Sequence, residues 1–280
     1  MKSLVICADD YALSEPISLA IETLAKRKRI SATSVMSLSP LWPSHSASLQ
    51  SLKGQIDVGL HLDWTSEFAI ANGHGGSLNS VMLKSLLGQN SIADCKKIIH
   101  QQLDWFEKYW AQAPSHIDGH QHIHQFNGIR QALIEVILER YLFSYKSANV
   151  PMPYLRISRA IKPQNTLKAQ IIALMGAGPL LKSASQNNIL SLPYLSGIYD
   201  LKIGPISYPQ RMENWLKQTT PIQDSILMCH PSLLLEEQDT ISAARVQEFQ
   251  YLNSQDFLDH LNQYQVTVDK AELSFKINPI

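Results

Sequence analysis

Apolar and polar positions along the chain fall into two alternating rhythms. Short runs rich in β-branched residues have the length and composition of strands: SLVICA (3–8), ATSVMSL (32–38), DVGLHL (57–62), HIDGH (116–120), YLRIS (154–158), ILSLPY (189–194) and SILMCH (225–230). Between them lie segments of helical period, such as EPISLAIETLAKRKR (15–29), IADCKKIIHQQLDWFEKYW (92–110), NGIRQALIEVILERY (127–141), YPQRMENWLKQ (208–218) and SQDFLDHLNQY (254–264). This alternation from end to end is the signature of repeated βα units, and predicts an α/β fold around a parallel sheet or barrel. Ser14, followed by Glu15 and Pro16, predicts the start of the first helix with the serine as its side-chain cap. Residues 66–90 are rich in Gly and Asn and lack clean periodicity. They predict a loop, folded over a site or running over the surface.

Composition narrows the class. An α/β barrel of 280 residues is routinely one domain, so a single unit over 1–280 is expected. Hydrophobic residues at 45% and charged residues at 17% suit a globular enzyme. The 24 basic and 24 acidic residues cancel, leaving no excess charge to draw the chain to nucleic acid or an anionic membrane. A small, near-neutral partner is the expectation. Three cysteines, Cys7, Cys95 and Cys229, make neither a disulfide framework nor a CxxC pair, which points to a reducing compartment. The N-terminal apolar run is too short for a signal peptide, and residues 169–181 are too short and too interrupted to span a bilayer. A cytoplasmic location is therefore expected. Trp105, Tyr109 and Trp110, near one helix end, read as exposed aromatics that would permit a homodimer surface.

Chemistry-bearing residues recur at the carboxyl ends of the predicted strands: Asp9 and Asp10, then His61, then Asp118 and His120, then His230. In parallel α/β folds that edge is where sites are built. Singly, an ADD can be a turn, His61 a satisfied core histidine, and CHP a strand end. The stretch SHIDGHQHIHQ is harder to explain without a role, because His116, Asp118, His120, His122 and His124 stand at every second position and would be costly to bury. If the stretch stays extended, same-face neighbours are ~6.6 Å apart and the ends ~26 Å apart, so they cannot share one ion. Only one or two could reach a common metal at about 2.0–2.2 Å, with further ligands from Asp10 and His61.

The motifs ADDYALS (8–14), GLHLDWT (59–65), HIDGHQHIH (116–124) and MCHP (228–231), in this order and spacing, resemble those of the YdjC-like (ChbG-like) carbohydrate deacetylases, over nearly the whole chain. The resemblance implies a distorted (β/α) barrel similar to the NodB-type polysaccharide deacetylases. It also implies removal of an N-acetyl group from an acetylated amino sugar, such as a chito-oligosaccharide, with one divalent metal, magnesium or zinc. By the same resemblance Asp10, His61 and His120 are metal ligands, Asp9 is the general base, and His230 protonates the leaving amine. Asp118, His122, His124 and Arg156 are assigned to substrate binding or to support of the ligands. Two departures, Tyr11 and Ala12 for the usual Phe and Gly and Trp64 for a smaller apolar residue, put Tyr11 and Trp64 among candidate pocket walls. Ala12 in place of glycine further predicts that the turn after the aspartates needs no positive φ. Alternatives are another metal-dependent amidohydrolase or phosphoesterase, or a non-catalytic sugar-binding protein on the same fold. No GxSxG elbow supports a serine nucleophile.

Overall fold

The computed structural model describes residues 1–148, 150–161, 167–219 and 224–271. The strands among these residues are β1 (Lys2–Tyr11), β2 (Ala32–Val35), β3 (Asp57–Leu62), β4 (His116–Gly119), β5 (Tyr154–Arg156), β6 (Ser191–Leu192), β7 (Tyr194–Ser196), β8 (Ser225–Cys229) and β9 (Val266–Val268). Each predicted strand is present. The helices are α1 (Glu15–Lys26), α2 (Trp42–Leu49), α3 (Glu67–Ala71), α4 (Leu78–Leu86), α5 (Ile92–Trp110), α6 (Ile129–Ala148), α7 (Leu167–Leu174), α8 (Ala177–Gln186), α9 (Tyr208–Thr219), α10 (Ser242–Leu252) and α11 (Gln255–Gln263).

The strands run in the order β6-β5-β4-β3-β2-β1-β8-β7, all parallel, with β9 added beside β1. The result is a nearly closed β/α barrel, as expected. Its last seam is one continuous segment: β6 pairs with β5, β7 pairs with β8, and only Pro193 separates them. Proline has no N–H to place in a ladder, so the chain changes partner there.

Period-two alternation sorts the strand side chains to two faces. Leu4, Ile6 and Ala8 of β1, with Leu60, Leu62, Ile117 and Leu155, belong to the large core between barrel and helices. Val5, Cys7, Ala32, Leu195 and Ile226 form a second apolar cluster inside the barrel. Toward the carboxyl ends the inward residues turn polar, as Ser34, His61, His116, Asp118, Arg156 and Asp9, all buried.

Several local expectations are corrected. Ser14 stands at the N-cap of α1, but its hydroxyl makes no cap and donates instead to Glu236 Oε2 at 2.7 Å. Residues 66–90 contain α3 and α4, each capped by a serine, Ser66 and Ser77, rather than one open loop. Trp110 is buried, because α5 turns the stripe Ile99, Leu103, Phe106 and Trp110 toward the core, while Trp105 stays exposed and Tyr109 half-buried. No helix among the described residues is long and apolar enough to cross a membrane. All three cysteines are buried and free.

Candidate active site and metal centre

The adjacent aspartates reach one place through a bulge. Ala8 pairs with Thr33 but Tyr11 pairs with Val35, so β1 carries an extra residue between these points. Asp10 sits there at φ 70°, a left-handed conformation that Asp tolerates better than most residues. Ala12 has φ 71°, so the turn does use positive φ despite the missing glycine; the expectation from Ala12 was wrong. Its N–H donates to Ser18 Oγ at 3.0 Å, which helps to hold the strained turn against α1.

The histidine-rich stretch does not stay extended. β4 ends at Gly119, and His120–Gln125 form a tight helical turn in which Gln121 and His122 have φ of 53° and 63°. The turn separates the alternating side chains. His116 points into the barrel, stacked on Tyr154 with ring centroids 5.1 Å apart. It needs Gly59 on the neighbouring strand, where a Cβ would lie 2.4 Å from the imidazole. His120 faces Asp10, His122 lines the site cavity and hydrogen-bonds with Ser158 Oγ at 2.9 Å, and His124 donates through Nε2 to the Arg156 carbonyl at 2.8 Å.

Asp10, His61 and His120 bring one ligand atom each to within 4.8 Å of one another. Asp10 Oδ1 is 3.4 Å from His61 Nε2 and 3.1 Å from His120 Nδ1. Two of the ligands are oriented by a second partner. His61 and Asp118 are direct neighbours in the β3–β4 ladder, and His61 Nδ1 donates to Asp118 Oδ1 at 2.5 Å, leaving Nε2 toward Asp10. Asp10 Oδ2 accepts from Arg245 at 2.7 Å, leaving Oδ1 for the shared centre. His120 is partly open to the cavity, with 19% of its side chain exposed, so a ligand can enter. A carboxylate and two imidazoles fixed this way fit a divalent ion of the zinc or magnesium kind.

The electrostatics agree. Burial alone would lower the His61 pKa, but the Asp118 carboxylate beside it, with Asp10, raises it to about 10. The same field favours a cation, whose binding would displace that proton. Asp10 is held well below the usual carboxylate range despite its burial, by Arg245 and His120.

Two other groups of potential ligands do not make a second centre. Asp9, His61 and Asp118 surround Arg156, whose guanidinium contacts Asp9 at 2.6 and 2.8 Å and Asp118 at 3.1 Å, so a positive charge already occupies that position. Cys7, His116 and Asp118 are wholly buried and joined through Ser34, which donates to Asp118 Oδ2 at 2.5 Å and lies 3.0 Å from His116 Nε2. Burial pushes the Cys7 thiol well up, away from the thiolate a metal would require.

Asp9 and His230 stand beside the triangle. Asp9 Oδ2 and His230 Nε2 are 3.7 Å apart, beyond a direct hydrogen bond, and both line a cavity of about 720 Å³ with Asp10, His61 and His120. Burial lowers the His230 pKa to about 4, partly opposed by Asp9 and Asp10, so the ring is neutral at pH 7. Its backbone N–H donates to Glu248, which also accepts from Tyr199 Oη at 2.6 Å.

Sequence reasoning missed Arg245, Glu248, Ser34 and Asp239, a cavity-lining carboxylate that accepts from Arg245 Nε at 2.6 Å. Two of them lie on α10. On α10 the buried positions are Ser242, Ala244, Arg245, Glu248, Tyr251 and Leu252, so an arginine and a glutamate sit in what is otherwise the core stripe of the helix. Tyr11 and Trp64 do not reach the cavity. Tyr11 is fully buried and donates to Glu22 at 2.9 Å and to the His45 carbonyl at 2.9 Å, while Trp64 is buried edge-on to His74.

Glu248 supplies a stability test. Burial raises its pKa from 4.5 to about 7. The folded chain keeps this proton over a range in which the unfolded chain releases it, so ionisation favours unfolding. The contribution of Glu248 to unfolding free energy should fall by about 3 kcal/mol as pH rises from about 4.5 to about 7. Denaturant melts across that range should show a flatter pH dependence for Glu248→Gln; equal slopes would mean that Glu248 ionises normally.

The profile of the YdjC-like protein family matches residues 3–263. The chain belongs to the YdjC-like family. A curated relative, "Carbohydrate deacetylase" of Clostridium beijerinckii (strain ATCC 51743 / NCIMB 8052), is 20% identical over 267 residues, covering 93% of this chain and 95% of its own length. A crystal structure from Enterococcus faecalis V583, described as a candidate cellobiose-phosphate cleavage protein, superposes with a TM-score of 0.71 at 16% identity, over 96% of this chain and 97% of that one. At this identity the likeness establishes that the YdjC-like chain shares that protein's fold.

Proposed function

We propose that this YdjC-like chain is a metal-dependent hydrolase that removes the N-acetyl group from a small acetylated amino sugar. The observation that carries the reading is the joint placement of Asp10, His61 and His120 with Asp9 and His230 on one cavity floor. The name of the Clostridium relative and the family membership support the substrate class.

Amide hydrolysis needs an activated water, stabilisation of the developing oxyanion, and a proton for a poor leaving group. A divalent ion held by Asp10, His61 and His120 would supply Lewis-acid polarisation. Asp9, oriented by the two bonds it accepts from Arg156, is the base that takes the water's proton. His230 starts neutral, so it takes up the proton that Asp9 has removed from the water and passes it to the departing amine nitrogen as the C–N bond breaks. The 3.7 Å between Asp9 and His230 leaves room for the reacting group to touch both.

A two-metal phosphoesterase is disfavoured by Arg156, which fills the position a second cation would take. A non-catalytic sugar-binding role is disfavoured by the presence of both Asp9 and His230 at the cavity. The deciding experiment is acetate release from N-acetylglucosamine and N,N′-diacetylchitobiose by metal-analysed protein, with and without chelator. Chelator-sensitive release is expected; a metal-loaded protein that releases no acetate from any acetylated amino sugar would overturn the reading.

A further inference from the structure

We infer that the substrate carries an apolar group next to its acetylated amino sugar, a proposal that rests on the deacetylase reading above and narrows its substrate. The cavity is larger than one amino sugar requires, and its walls divide by chemistry. Polar lining beyond the candidate catalytic and metal-holding residues comes from Gln121, His122, Arg245 and 238–240. The remaining wall is aliphatic: Leu78 and Met82 on α4, Ile171 and Ile172 on α7, then Met175 and Leu201. No Phe, Tyr or Trp lines it among the described residues. A pyranose bound against this aliphatic wall would bury hydroxyls without partners and find no Phe, Tyr or Trp face to stack on, whereas an alkyl or similar apolar group loses nothing there.

The aliphatic surface also runs outward. On α4, Leu78 and Met82 are four residues apart on one stripe, and the next position of that stripe is Leu86, 74% exposed. On α7, Ile171 lines the cavity and Leu174, three residues on, is 85% exposed. Two helices that wall the same cavity thus each carry an apolar stripe from its interior to the surface. This suits an occupant whose apolar part extends beyond the cavity, held at the sugar end by the catalytic floor.

The test is the affinity of the metal-loaded protein for methyl, butyl and octyl β-glycosides of N-acetylglucosamine, below their micelle concentrations, and for N,N′-diacetylchitobiose, measured by calorimetry alongside acetate release. Each buried methylene should tighten binding about fourfold, so octyl should exceed methyl by at least about 100-fold. Met82→Gln with Ile171→Thr should cut that ratio by about tenfold. A flat series, or diacetylchitobiose bound more tightly than the octyl glycoside, overturns the inference. If acetate is still released in that case, the deacetylase reading stands alone. Affinity that rises with chain length without acetate release would keep the apolar subsite and remove the hydrolytic reading. A flat series together with a dimer that Leu86→Glu dissociates would assign the surface to a second copy of this chain, and so also overturn it.

Discussion

Asp9→Asn is expected to load metal like the wild type and to lose about 10²–10⁴-fold in kcat, the usual cost of a missing general base. Both oxygens of Asp9 are engaged by Arg156, at 2.6 and 2.8 Å, and the carboxylate is not part of the Asp10, His61 and His120 triangle. Asparagine keeps the shape and an acceptor for Arg156, which still contacts Asp118 at 3.1 Å, so the variant should fold. Asp9→Ala is a different experiment. It removes one partner of a buried ion pair and should cost on the order of 3 kcal/mol in stability. Metal stoichiometry, kcat and melting curves on both variants separate the chemical role from the structural one. An Asp9→Asn protein that is metal-free, or one that turns over normally, would show that Asp9 is not the base.

His61→Ala should do the opposite: the metal goes and activity goes with it. The imidazole contributes the Nε2 atom 3.4 Å from Asp10 Oδ1, and no neighbouring side chain can replace it. Loss of an outer partner of a metal ligand typically weakens binding 10–100-fold, so Asp118→Asn gives the scale and His61→Ala should exceed it. The fold should survive, because Asp118 keeps its bonds to Ser34 at 2.5 Å and to Arg156. Metal titration followed by melting temperature checks this directly, since a lost site also loses the stabilisation that metal confers on the wild type. Stoichiometric metal in His61→Ala would place the ion elsewhere.

These contrasts depend on details of unequal visibility. The alternation of β-branched runs with helical segments was enough to place β1, β3, β4 and β8 and hence to put Asp9, Asp10, His61, Asp118, His120 and His230 at strand ends. Strand ends in a parallel barrel converge, so the gathering of these residues follows from pattern alone. Their separate roles do not. Whether Asp9 and Asp10 face one site or opposite sides depends on a single extra residue between Ala8 and Tyr11, and no local propensity marks it, since Asp10 and Ala12 take positive φ without a glycine. The path of the histidine-rich stretch was similarly open, because the turn that ends its extension rests on left-handed Gln121 and His122, with no glycine to mark it.

The sequence by itself determined the period of the main strands and helices, the parallel connectivity, and the placing of Asp9, Asp10, His61, Asp118, His120 and His230 at the barrel's carboxyl end. Only the tertiary structure decided which group partners which. Arg245 and Glu248 have the spacing of an ordinary exposed pair on a helix, yet α10 packs them inward, where Arg245 holds Asp10 and Glu248 caps the backbone of His230. Tyr11 sits next to Asp10 in sequence but points into the core toward Glu22 and His45, because the extra residue between Ala8 and Tyr11 shifts the alternation of faces by one. A one-dimensional pattern records the side of an element on which a residue lies. The charge that it meets there is supplied by distant strands and helices, through packing that sequence spacing does not encode.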